Sequence, residues 1–502
     1  MPDSAAQAGD DRLGREVWVT SAVVIVGVIM SILDTTIVNV ALETLSRELH
    51  SSLTTIQWVS AGYLLALAMV IPLTGWLSER FGSKEVWMIA VAAFGVGSAL
   101  CGLAWSAESL IFFRVLQGFG GGMIMPVGMA LLAQTAGPRR VGRVMSVVGV
   151  PMLLGPILGP VIGGLIVSNV SWRWIFYVNI PIVVVALALA HRLLNRESGR
   201  ADPGRLDWRG FALLSPGIVG IVFGLSEIET HGGIGSPIAL GPILAGVVLV
   251  AAFVRHALGA ARPLINVRLF RNGSFSAAAA TTFLLGAALF GAMLVIPLYY
   301  QVARGTTALG AGLLMAPQGL GAASVMPLAG RLTDRIGGGR VALAGVVVMT
   351  VGTIPFVAVG ASTPYALLAA FLVIRGIGLG GAMMPAMAAA YATLRPSEVP
   401  RATSALNAIQ RVGGSIGTAL LAVVLQHEIT AQLAGGAAGG GIASVSGAAA
   451  ASAGNVAAAF ANTFWWALGL SLLAVAPAAT LAIVQETARR REATAAAVPT
   501  GG

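Results

Sequence analysis

With 502 residues, 57% of them hydrophobic and only 10% charged, and a mean hydropathy of +0.86, the chain has too little polar surface to be soluble. Its net charge of +10 and pI near 10.8 would suit a nucleic-acid binder. The basic residues, however, fall in alternating loops instead of one patch, which argues against that class.

Taken in chain order, the polar tail 1–16 carries acids and lacks a signal-peptide pattern, so the apolar segment 17–42 is expected to stay as an anchor. Asp34, within it, is the only carboxylate well inside a long apolar segment. An ionisable group there costs at least roughly 2.5–3.5 kcal/mol, so it is expected to face a bundle interior or wet cavity, where it can exchange a proton. Thr35 and Asn39 share a neighbouring face, which suggests that this helix lines a cavity. Segments 53–77, 85–105, 108–135, 143–168 and 172–194 complete a six-helix bundle over 17–194. Two additional spans, 208–227 and 238–258, follow within a basic linker region 195–273. A second bundle over 274–484 holds 274–302, 307–331, 340–360, 364–392, 402–427 and 459–484. A Gly-, Ala- and Ser-rich external loop is expected within 428–458, and a tail over 485–502.

Fourteen spans place both termini and most of the 30 Lys and Arg on one side, which the positive-inside rule makes cytoplasmic. Arg47, Arg173 and Arg304 fall on the other side, and Arg114, Arg375 and Arg411 fall inside helices. Cys101, the sole cysteine, can form no internal disulfide and reads as a small packing residue. The stretch Gly75-Trp-Leu-Ser-Glu-Arg-Phe-Gly82 reappears as Gly330-Arg-Leu-Thr-Asp-Arg-Ile-Gly337. Gln117-Gly-Phe-Gly-Gly-Gly is likewise echoed from Arg375 as Arg-Gly-Ile-Gly-Leu-Gly. Two related membrane halves explain both echoes, and parallel repeats mark one class of secondary transporter.

Depth singles out a partner for Asp34. Arg114 lies roughly 9 Å below the outer end of its helix, and Asp34 roughly 25 Å above the inner end of the first. Both then fall in the outer half of a core about 30 Å thick, where they can be neighbours. A nearby guanidinium and the loss of water act on a carboxyl's proton affinity in opposite directions, so rearranging the pair would switch it. Gly155, Gly159 and Gly163 recur every four residues as a smooth ridge, while Pro156 and Pro160 remove backbone donors and bend the helix. Gln117, Gln318, Asn407, Gln410 and Arg411 are expected along a substrate cavity. Gln57, Tyr63, Tyr299, Tyr300 and Gln301 fit that role less well than an interfacial belt.

The segments Leu33–Leu42, Gly75–Lys84, Arg114–Pro126, Gly155–Gly164, Trp172–Pro181 and Leu206–Gly210 together resemble the 14-helix drug:proton antiporters of the major facilitator superfamily, over nearly the whole chain. The resemblance implies an all-α membrane protein: two pseudo-symmetric six-helix bundles plus two extra central helices. It implies that Gly155 to Gly164, including Gly164 itself, belong to an antiporter-type helix. It also implies a cytoplasmic latch from Gly75, Glu79, Arg80, Gly82 and Lys84, repeated at Gly330, Asp334, Arg335 and Gly337. Glu79 departs from the Asp usual there.

The function expected is proton-coupled export of amphipathic small molecules by alternating access in a bacterial cytoplasmic membrane. No cofactor or metal is expected beyond the proton as coupling ion, nor any nucleic acid, and the chain is expected to act as a monomer in the bilayer. An ATP-driven pump is excluded: the only lysine, Lys84, stands in no phosphate loop. An enzyme is disfavoured because His50, His191, His231, His256 and His427 all fall in loops or at helix ends, with no metal motif. A channel suits matched gate motifs poorly. A dedicated exporter of one metabolite or self-made antibiotic is the nearer alternative. With one membrane carboxylate against three arginines, dicationic cargo is disfavoured, and monocations, zwitterions, neutral amphiphiles or anions remain.

Overall fold

The structure, a computed structural model, describes residues 14–137, 140–195, 204–230, 236–433 and 453–497. Among these every regular element is a helix, as a bilayer requires of spans that must satisfy their own backbone groups. The first half comprises α1 (Arg15–Glu48), α2 (Leu53–Val70), α3 (Thr74–Phe81), α4 (Ser83–Gly102), α5 (Ala107–Ala136), α6 (Val141–Asn169), α7 (Trp174–Tyr177) and α8 (Asn179–Leu193). Next come α9 (Trp208–Thr230) and α10 (Pro237–Gly259). The second half holds α11 (Gly273–Leu298), α12 (Ala308–Ile336), α13 (Gly338–Thr353), α14 (Tyr365–Tyr391), α15 (Val399–Leu433) and α16 (Ala453–Ala497). A 3₁₀ turn at Ile71–Leu73 joins α2 and α3 into one crossing, and α7 and α8 form another. Thirteen helical segments among the described residues are long and apolar enough to cross a membrane. The 29-residue α6 lies between two of them and is long enough for a fourteenth.

Lipid is as apolar as leucine, so close approach must hold these helices together. The repeated glycine motif provides it. On α5, a Cβ at Gly118 would stand 2.7 Å from Tyr63 O and one at Gly122 2.6 Å from Leu67 O, both on α2. In the second half Gly376 and Gly380 of α14 meet Gln318 and Ala322 of α12 in the same way. The ridge of α6 faces α1: a Cβ on Gly155 would overlap Ile32, one on Gly159 would overlap Thr36, and one on Gly163 would touch Ile37. Gly164 looks into open space and takes no part. The side chains of Pro156 and Pro160 lie outside the described set.

The two extra helices pack on each other through Gly217, Gly220, Gly224 and Gly246, and α9 also lies against α2 and α15. Asp207 fastens their near ends, accepting from Gly210 N at 2.8 Å and Leu264 N at 3.2 Å, with His256 Nε2 at 2.8 Å. Burial pushes its carboxyl up, but these donors outweigh it and hold Asp207 below the usual carboxylate range.

The last helix runs to Ala497, so the expected span 459–484 and much of the tail 485–502 form one helix. Glu486 supports the extension, with Arg490 at 2.8 Å one turn on and Arg340 at 2.6 Å. Of the expected external loop 428–458, residues 434–452 lie outside the described set, as do residues 1–13 of the N-terminal tail.

The α1–α6 contact has a direct test. Gly159→Leu is expected to destabilise the protein by about 1–3 kcal/mol through overpacking. Thermal unfolding in detergent should show a lowered midpoint, with Gly164→Leu as the unaffected control.

Candidate functional site

Asp34 is fully buried, and the arginine suggested by depth is against it: Arg114 Nη1 donates to Asp34 Oδ2 at 2.7 Å. The other carboxylate oxygen accepts from Gln117 Nε2 and Asn179 Nδ2, each at 2.9 Å. Arg114 Nη1 also donates to Gln117 Oε1 at 2.7 Å, and its Nε to Val59 O at 3.1 Å. Behind Asn179, Ser98 Oγ accepts from the amide at 3.0 Å and donates to Phe176 O at 2.9 Å. The guanidinium lies 4.1 Å from the centre of the Tyr63 ring and 5.7 Å from that of Phe176. Four crossings thus contribute to one charge: α1, α5, the α7–α8 crossing, and α2 through Val59 and Tyr63. Both carboxylate oxygens are thus occupied by donors, and a proton arriving at Oδ2 must displace Arg114.

Several expectations need correction. Gln117 does not line a cavity: it is fully buried and bridges Asp34 to Arg114. Tyr63, Tyr299 and Tyr300 are not belt residues; all three are buried, Tyr63 against Arg114 and Tyr299 donating to Gly360 O. A ring stacked on a cation in the core is better placed there than at a headgroup. Sequence alone does not single out Asn179 or Ser98. The only cue is the position of Asn179 in an otherwise apolar run.

The remaining cavity candidates scatter. Thr35 donates back to Ser31 O, and Asn39, exposed, accepts from Ser60. Gln57 is exposed. Asn407 bonds its own helix at Thr403 O, and Gln410 points to Met383 Sδ at 3.8 Å. Gln318 accepts from Arg375, which also donates to Ala288 O. Arg411 is partly buried and has no hydrogen-bond or ion-pair partner among the described residues.

The two loop motifs join opposite halves at the end of the bundle where α1 starts and α16 finishes. Glu79 on α3 meets Arg401 at the start of α15 at 2.9 Å, and Thr74 Oγ1 lies 2.5 Å from Ser404 Oγ. In the second copy Asp334 accepts from Gly142 N at 3.0 Å, the first turn of α6, with Arg143 at 3.8 Å. Gly82 and Gly337 make the turns, with φ of 90° and 99°. Gly75 sits within α3, where a Cβ would be 2.8 Å from Arg401 Cα. Gly330 is its counterpart in α12, where a Cβ would be 2.7 Å from Arg143 Cα. Lys84 does not join this contact: it donates to His191 O at 3.2 Å and Leu194 O at 2.5 Å, capping α8 within its own half. Arg80 and Arg335 are exposed. Arg401, the missing partner of Glu79, escapes a sequence reading because it lies outside the repeated motif.

Breaking the central pair one side at a time has a definite signature. Arg114→Gln orphans a buried charge and is expected to cost about 3–5 kcal/mol. Adding Asp34→Asn to it should recover some of that loss. Unfolding of the three variants in detergent checks this, and simple additivity would contradict it.

Comparison with known proteins follows the same lines. The chain resembles the human organic anion transporter MFSD10 (TM-score 0.61, 15% identity, 93% of this chain and 100% of that one). It resembles the proton:xylose symporter XylE equally well in fold (TM-score 0.60, 15% identity, 91% and 94%). By sequence it is 40% identical over 430 residues to a multidrug resistance protein B homolog of Mycobacterium tuberculosis, covering 85% of this chain and 79% of that protein. It is 29% identical to the tetracenomycin C resistance and export protein of Streptomyces glaucescens, covering 85% and 79%. The family model of the Major Facilitator Superfamily matches residues 24–418. The chain therefore belongs to the Major Facilitator Superfamily, a family of multi-pass membrane transporters and not of enzymes.

Proposed function

We propose that this transporter exports amphipathic drugs or toxic small molecules across the cytoplasmic membrane in exchange for protons, by alternating access. The observation that carries the reading is the fully buried Asp34–Arg114 pair, a place where a single proton would change the packing of several helices. When Asp34 is ionised, its charge draws Arg114, Gln117 and Asn179 together. Protonation weakens those bonds and loosens α1 against α5 and α8. The glycine ridge of α6, which touches α1 on either side of Asp34's level at Ile32 and Ile37, gives that loosening a path to the seam between the halves.

The contacts Glu79–Arg401 and Asp334–Gly142 then act as the latch. With the termini in the cytoplasm, as the basic loops favour, these contacts close the cytoplasmic end of the seam. The protein works as a monomer and needs no cofactor. The names of the mycobacterial and Streptomyces relatives support export of toxic compounds. The second of them also supports a narrower reading, in which the cargo is one self-made antibiotic.

Two experiments test the proposal. In proteoliposomes with an imposed pH gradient, Asp34→Asn is expected to lose uphill, proton-driven transport while retaining downhill exchange. Full uphill transport by that variant would remove Asp34 from coupling. A Thr74→Cys, Ser404→Cys pair is expected to crosslink under oxidation and to stop transport, which reduction restores. Undiminished transport by the crosslinked protein would rule out opening at this seam.

A further inference from the structure

We infer that Arg411 is a substrate-recognition residue and that it selects amphiphiles bearing an anionic group, a carboxylate, sulfonate or phenolate. The inference rests on the transport reading and adds that cargo and proton bind at separate residues.

Of the three arginines deep within the apolar spans, Arg114, Arg375 and Arg411, two are provided for within the protein. Arg114 has Asp34, Gln117 and Val59 O, and Arg375, buried, has Gln318 and Ala288 O. Arg411 alone has no hydrogen-bond or ion-pair partner among the described residues. It lies roughly 18 Å along α15 from Val399, at 1.5 Å per residue, too deep for its side chain to reach the headgroups. An unpaired guanidinium at such depth persists only where it faces a wet cavity or a ligand.

Its direction is set by the helix. Arg401 and Ser404 reach the opposite half at Glu79 and Thr74. Arg411 is two turns beyond Ser404 on the same face. Residues 402–408 are all buried, and exposure resumes at Ile409, Arg411 and Val412, where the seam ends. Tyr63 of α2 lies within electrostatic reach of the Arg411 guanidinium, and its buried hydroxyl has no hydrogen-bond partner among the described residues. A cation from one half and an unpartnered phenol from the other therefore come near each other, and an oxyanion admitted between them can accept from both. Asp34, by contrast, is no ready partner for a cation. It is fully buried and both its oxygens are taken by Arg114, Gln117 and Asn179.

Binding of fluorescent probes to the purified, detergent-solubilised transporter, followed by polarisation, separates recognition from transport. Wild type is expected to bind anionic carboxyfluorescein more tightly than cationic rhodamine 6G. Arg411→Gln should weaken carboxyfluorescein at least about tenfold, the scale of one charge-assisted bond, without weakening rhodamine 6G. Arg411→Lys, which keeps the charge, should retain most of the binding and guards against a mere folding defect. No anion binding by wild type, a preference for rhodamine 6G, or unchanged anion binding in Arg411→Gln would each overturn the inference. The coupling proposal fails separately, if Asp34→Asn retains full proton-driven exchange.

Discussion

The rest of this architecture depends on one buried ion pair, Asp34 with Arg114. Asp34 is fully buried in the first crossing, and only charge-assisted bonds make its ionised form tolerable there. Arg114, Gln117 and Asn179 supply them from α5 and α8, and Ser98 on α4 steadies Asn179 in turn. The pair is therefore a structural tie as well as a charge store. Its neutralisation would cost the first half some of its helix packing, which is what a proton-driven conformational change requires.

The second constraint is the absence of any hydrophobic drive between helices in lipid. Small residues replace it, and they are placed where movement would matter. The ridge Gly155–Gly159–Gly163 lets α6 lie on α1 around Asp34, and the same α6 begins at Gly142, which holds Asp334 of the other half. One helix thus touches both the helix that carries the buried charge and the seam. Glu79 and Arg401 close the seam on its other flank, with Gly75 and Gly330 bringing the backbones close enough for both contacts.

Much of this is legible in the sequence, and the physical reasons are specific. Apolar runs in lipid must be helices, so the spans can be counted directly. Helix rise fixes depth, so Asp34 and Arg114 can be paired without knowing the fold. Azimuth across a bundle is not fixed by one helix's sequence, so Gln117 reads as a cavity residue when it faces Asp34, and Asn179 draws no notice. Tyr63 has the chemistry of an interfacial residue and is buried because a cation happens to lie beside it. Lys84 stands in the repeated loop yet turns back to cap α8. The partner of Glu79 belongs to the other half, and long-range pairing of that kind leaves no mark in a local motif.

The central claim is that protonation of Asp34 releases the seam between the halves. It is tested most directly by following both events in one titration. Infrared difference spectra report the protonation of a buried carboxyl, and spin labels flanking Glu79 and Arg401 report their separation. The account predicts one carboxyl band, absent in Asp34→Asn, rising with the same pH midpoint as a longer label distance. Seam opening with the same pH dependence in Asp34→Asn would contradict it.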